Sequence, residues 1–165
     1  MNLSNQKDIR NLIIEGNFNE VVNRYKKIIQ TKPNNHGAHN NLGNALKELG
    51  KLEEAIVSYR QAIKIKHDNT TAHFNLGNIL NDLGKFKEAI PNLLHAIKIK
   101  PDYNEAHQCL AISYKKLGKF EKAIVHYKKA NTKESRAQIL QCFYALKKTN
   151  EYNKYLSKLC KNDPK

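Results

Sequence analysis

The chain has 165 residues, about one domain's worth, with 29 Lys and Arg against 15 Asp and Glu, three Cys and no Trp. With 40% apolar and 27% charged residues it is not a disordered tail. No apolar run approaches the roughly 20 residues needed to cross a bilayer, so no membrane role is expected. Met1 to Arg10 lacks the apolar core of a signal peptide. Cys109, Cys142 and Cys160 are odd in number and widely spaced, which suits neither a disulfide framework nor a zinc site. A reducing, cytoplasmic setting and small buried apolar roles for these cysteines are the expectation. The net charge of +14 raises the possibility of nucleic acid, but 25 of the 29 basic residues are Lys and only Arg10, Arg24, Arg60 and Arg136 are Arg. Base readout and bidentate phosphate clamping favour Arg, so a lysine-rich nucleic-acid binder stands as an alternative rather than the first reading. The 21 Asn, with the Lys and Ile, have a simpler source in an AT-rich genome.

Residues 2–35 carry a loose pattern through Leu12, Gly16, Phe18, Val21, Tyr25, Ile28 and Pro33, with a first helix expected to be short or frayed. From there a 34-residue period is plain. His39–Gly43 (HNNLG), His73–Gly77 (HFNLG) and His107–Ala111 (HQCLA) align, as do the stretches beginning at Gly50, Gly84 and Gly118. The units are 36–69, 70–103 and 104–137. In the first, Leu42, Ala45, Leu46 and Leu49 make one helical stripe and Ala55, Ile56, Tyr59, Ala62 and Ile63 a second. Gly50, Gly84 and Gly118 stand where a helix needs a left-handed C-terminal residue, and Pro33 and Pro101 stand where second helices stop. Pro91 falls a few residues into a second helix and predicts a small kink rather than a break. Residues 138–165 read as a partial final pair, with Asn150 as its turn residue if the preceding unit loses two residues. Each unit is thus two antiparallel helices, and units must stack to bury both stripes, giving a solenoid of five pairs with degenerate ends.

At these residues the sequence resembles the tetratricopeptide repeat (TPR) family. The first unit places His39, Leu42, Gly43, Leu46, Gly50, Ala55, Tyr59 and Ala62 at the family's signature positions, with His67 where Pro is usual. The second matches through His73, Leu76, Gly77, Leu80, Gly84, Ala89, Leu93, Ala96 and Pro101. The third matches through His107, Leu110, Ala111, Tyr114, Gly118, Ala123, Tyr127 and Ala130, with Ser135 replacing Pro. The resemblance implies an all-α, right-handed α-α superhelix occupying residues 1–165 as a single domain.

The three-fold His39, His73 and His107 do not make a metal set. Helices of successive units lie about 8–10 Å apart, whereas ligands of one zinc all lie about 2 Å from the ion. The expected role is packing between helices. No phosphate loop, nucleophile elbow or HExxH occurs, and Glu53, Glu54 and Glu88 sit at second-helix starts, where the helix dipole favours them. The chain is read as a non-enzyme with no cofactor and no metal.

The resemblance implies a concave groove lined by first helices. Its inner-wall positions hold Asn40, Asn41, Asn44 and Lys47 in one unit, Thr71, Phe74, Asn75, Asn78 and Asn81 in the next, and Glu105, Gln108, Ile112 and Lys115 in the third. The expected site comprises Asn40, Asn41, Asn44, Phe74, Asn75, Asn78, Asn81, Gln108 and Lys115. Rows of Asn can pair with the backbone of an extended peptide, resembling the asparagine ladder of O-linked N-acetylglucosamine transferase superhelices. The family's carboxylate clamp is incomplete: Asn44 and Asn75 fill its Asn places, but its basic places fall on Asn40, Glu105 and Cys109. A protein-binding scaffold is therefore the leading reading. The alternative of the same class is the repeat region of a larger transferase or oxygenase. Residues 104–165 hold 14 Lys and Arg against 5 Asp and Glu; the commoner meaning of such an excess is a solvated, solubilising surface, and the sharper alternative is attraction of an acidic partner. The sequence leaves oligomeric state open.

Overall fold

The structure, a computed structural model, describes residues 3–162, with side chains from 9 to 160. The outer residues of the expected terminal segments, 1–2 and 163–165, lie outside the described residues. All described elements are helices: α1 (Leu3–Ile14), α2 (Phe18–Thr31), α3 (His36–Glu48), α4 (Leu52–Ile65), α5 (Thr70–Asp82), α6 (Phe86–Ile99), α7 (Asn104–Lys116), α8 (Phe120–Ala130), α9 (Lys133–Ala145) and α10 (Thr149–Asn162). They form two compact units, Met1–Ile79 and Leu80–Lys165, with α5 running from the first into the second.

One turn closes every odd-numbered helix. After α3, Gly50 adopts φ +71°, its N–H donates to the Lys47 carbonyl at 2.9 Å, and the Lys51 N–H donates to the Leu46 carbonyl at 2.9 Å. This crossed pair satisfies two carbonyls that the helix end would otherwise leave without partners. The same bonds follow α1, α5 and α7 at Gly16, Gly84 and Gly118. The next residue then starts the second helix, with Glu53 and Glu54, Glu88 or Glu121 in its first turn.

The last pair departs from the expectation. Its turn residue is Lys147, at φ +55°, not Asn150, and α9 starts at Lys133, five residues before 138. The repeat has shortened by five residues rather than two. Two local causes add up to that number. Helix α8 has 11 residues where α4 and α6 have 14. The connection after it is Asn131 and Thr132 alone, where 66–69 and 100–103 each supply four residues. Asn131 tolerates the left-handed conformation (φ 51°), and the Thr132 hydroxyl caps α9 by accepting the Ser135 N–H at 3.0 Å.

The apolar stripes are buried as the periodicity requires. In the first unit Leu42, Ala45, Leu46, Ala55, Ile56, Tyr59 and Ala62 are buried, while Leu49 and Ile63 at the stripe ends are half-buried. In the second, Leu93, Leu110, Tyr127, Ile139 and Cys142 are fully buried. Cys160 corrects the expectation for cysteines: it is exposed, and Cys109 is half-buried. Helix α6 runs through Pro91 unbroken. Helix α1, expected to be short, has 12 residues, one fewer than α3.

Helices α3 and α4 approach each other closely at Gly43. A Cβ at Gly43 would lie 2.5 Å from Tyr59 Cε1, and the Tyr59 ring is 1% exposed and has nowhere to go. Gly43→Ala should therefore lower the melting temperature: overpacking costs about 1–3 kcal/mol, against a gain of about 1 kcal/mol in helix propensity. Leu110→Ala should cost about 2–5 kcal/mol, whereas Val57→Ala, at a 66% exposed site, should stay within about 0.5 kcal/mol. Denaturant titration of the three variants checks the order.

Candidate functional site

In the first unit the Asn residues of the first helices do not stand as a row of independent amides. They form a clamp. Asn40 and Asn44 are one helical turn apart on α3, and Asn75 on α5 spends both amide hydrogens on them, at 3.1 Å to Asn40 Oδ1 and 3.0 Å to Asn44 Oδ1. The Tyr59 hydroxyl donates to the same Asn44 oxygen at 2.9 Å. Asn40 is buried, and its amide nitrogen reaches Asn41 Oδ1 at 3.4 Å, so it is a strut beneath the wall rather than part of its surface. Asn44 keeps its oxygen filled and exposes its N–H donors; Asn41 is exposed beside it.

These amides rim a cleft of about 450 Å³ in the same unit. Its apolar part comes from Ile13, Phe18, Val21 and Ala45, with Tyr25 and Tyr59 among them, and Asn41, Asn44, Asn75, Lys47 and Glu48 complete the lining. Burial raises the Tyr59 pKa, and the Glu48 charge adds to the shift. Burial also raises Tyr25, against a hydrogen bond from Asn41 that lowers it. Both phenols therefore remain neutral donors at physiological pH. The cleft is suited to holding a side chain in its apolar floor while donors meet backbone carbonyls at its rim. Phe74 and Asn78, both half-buried, do not line it.

The remaining expected site residues lie in the second unit and serve mostly to tie helices together. Asn81 donates to the Cys109 carbonyl at 2.8 Å and accepts from the Ser113 hydroxyl at 2.7 Å, so both ends of its amide are engaged with α7. Lys115 reaches Gln138 and Gln141 on α9 at 2.5 and 2.6 Å. Gln108 is half-buried on α7.

Sequence reasoning missed the role of the repeated histidines. Each Nε2 bonds a carbonyl six residues back: His39 to Pro33 at 2.9 Å, His73 to His67 at 3.0 Å and His107 to Pro101 at 3.0 Å. The constant spacing of the His behind Pro or His was the available signal. Asn35 and Asn69 were missed too; their side chains accept the Ala38 and Ala72 N–H groups and cap α3 and α5. Because the carbonyl of Pro101 needs a donor, His107 carries its proton on Nε2 and accepts at Nδ1 from His126 Nδ1–H at 2.9 Å. Tyr114 stacks on the His126 ring at 5.7 Å. Burial, with the neighbouring His107 and Lys129, lowers the His126 pKa to about 4. Among the described residues no group of three or more His, Cys, Asp and Glu is placed to hold a metal, and no helix is long and apolar enough to cross a membrane.

A family model described as TPR repeat matches residues 43–80 and 77–118, and two models of the tetratricopeptide repeat match 25–57 and 105–132. Among solved structures, a MamA protein is 23% identical over 95% of this chain and 88% of its own, with a TM-score of 0.85. MamA of Desulfovibrio magneticus RS-1 is 17% identical over 95% of this chain and 92% of its own, also at 0.85. YrrB, described as a TPR protein with an unusual peptide-binding site, is 16% identical over 98% of this chain and 86% of its own, at 0.81. At these identities the likeness is one of fold. No curated protein sequence gives a significant match.

The lowered His126 pKa makes a pH prediction. Between about 6.5 and 4 the unfolded chain takes a proton that the folded one refuses, so stability falls as pH drops through that window and is unaffected by this group above it. His126→Gln should flatten this part of the melting-temperature profile between pH 7 and pH 4. An unchanged slope would show that other groups set it.

Proposed function

Since this chain belongs to the tetratricopeptide repeat family, we propose that it is a non-catalytic protein-interaction scaffold that holds an extended segment of a partner in the cleft of its first unit. The observation that carries this reading is the rim of amide donors over an apolar floor. Asn44 already accepts from Asn75 and Tyr59, so what it offers a ligand is N–H, suited to the carbonyls of an extended chain. Asn41 extends the same edge. Ile13, Phe18 and Val21 beneath it suit one apolar anchor of the partner. The bound segment thus needs an apolar residue at one position and tolerates variety elsewhere. Asn78, Phe74, Gln108 and Lys115 belong to an extended version of this surface, and Asn81 and Asn40 to its support. The reading requires no cofactor, and free Cys109, Cys142 and Cys160 agree with a cytoplasmic setting.

Asn44→Asp separates ligand recognition from scaffolding, because the carboxylate still accepts from Tyr59 and Asn75 but has no N–H to offer. Random twelve-residue peptides displayed on phage should be enriched by the native protein, with an apolar residue at a fixed place. Against the selected peptides, Asn44→Asp with Asn41→Ala should lose about 3- to 30-fold in affinity, one or two hydrogen bonds' worth, while its helical signal is kept. Undiminished binding by this variant would place recognition on another face.

A further inference from the structure

A second cleft lies between second helices of the other unit, away from the first-helix residues Gln108 and Lys115. It measures about 730 Å³ and is lined by residues of α8 and α10, together with Arg136 of α9. Glu151, Lys154, Tyr155 and Lys158 recur at helical spacing, so one stripe of α10 faces it. Lys128 and the almost fully buried Tyr127 of α8 complete this part of the lining.

Among the described residues of the lining, four cations thus meet one carboxylate. Among the described residues, none of Lys128, Arg136, Lys154 and Lys158 forms an ion pair. Arg136 is held at the cleft by a 3.5 Å bond to Asn131 Oδ1, and it is the only Arg after Arg60. The negative end of the α8 dipole accounts for one lysine near the helix terminus. It does not account for four cations from three helices converging on one concavity. Like charges gathered in this way repel one another until an anion enters, and a low-dielectric wall strengthens both effects.

We propose that this cleft is a second docking site, and that its occupant is an Asp/Glu-rich segment of a partner protein. Arg136 supplies the planar fork that fits a carboxylate, and the lysines supply point charges along its flanks. Glu151 offers an acceptor to a backbone N–H of such a segment, a donor that a phosphodiester backbone lacks. The aromatic rings also favour peptide over nucleic acid. Tyr127 is 1% exposed and offers no open face on which bases stack, and Tyr155 is half-buried with an edge-on contact to Phe143.

The test uses a fluorescein-labelled eight-residue Asp/Glu peptide and fluorescence anisotropy on the full chain. Binding should be measurable at about 50 mM salt and should weaken steeply by about 200 mM. Lys154→Gln/Lys158→Gln should reduce affinity at least about tenfold, as should Arg136→Gln. Lys26→Gln/Lys27→Gln, which removes the same charge from exposed positions on α2, should change it less than about twofold. Asn41→Ala should leave it unchanged, so failure here is distinguishable from failure of the first-unit cleft. Absence of binding at low salt, equal loss in the α2 control, or displacement of the peptide by a tighter-binding single-stranded oligonucleotide of the same charge would each overturn the proposal.

Discussion

The packing of Tyr59 under Gly43 is the constraint on which the first unit depends. Without a side chain at Gly43, α3 approaches α4 so closely that a methyl group would overlap the ring. That approach buries the tyrosine and points its hydroxyl at Asn44. Asn44, fixed by this bond, becomes an anchor for Asn75, which joins α5 to α3 and holds Asn40 at the same time. A residue of the core thereby orients a residue of the surface. These bonds give the amide hydrogens left over on the rim of the cleft a defined direction.

The second unit applies the same repeat to a different end. Its Asn81 is wholly engaged in holding α7, and the polar residues of its first helices bridge to neighbours. Chemistry there has moved to the charged surface of the second helices, where basic residues of three elements converge. Shortening the last repeat by five residues sets which residues meet. It puts Asn131, Thr132 and Arg136 close behind α8, and an ordinary four-residue connection would have placed Arg136 elsewhere on its helix.

What could be read in advance follows from what each feature depends on. The helix pairs, their turns at Gly50, Gly84 and Gly118 and the burial of Leu42, Leu46, Tyr59 and Leu110 are matters of local conformation and period, and the repeated residues carry them openly. The final pair was misplaced because a tolerant αL residue and a capping hydroxyl, Asn131 and Thr132, replaced the usual loop without any Gly or Pro to mark it. The asparagines were recognised as first-helix polar residues. Their individual roles were not legible, because Asn40, Asn44 and Asn81 have identical side chains and differ only in which neighbours fill their valences. The apolar half of the cleft was missed for a related reason: Ile13 and Phe18 sit in the degenerate first repeat, whose pattern is weak.

The account stands on Tyr59 fixing the asparagine clamp, and nitrogen-15 NMR of the side-chain amides tests this in the protein alone. The Asn75 amide, with both hydrogens bonded, should exchange slowly with water, while that of exposed Asn153 exchanges fast. In Tyr59→Phe the Asn44 and Asn75 signals should shift and exchange faster, and those of Asn81 should stay where they are. If Asn75 exchanges as fast as Asn153 in the native protein, or if Tyr59→Phe leaves Asn44 and Asn75 untouched, the clamp is not what orients the site.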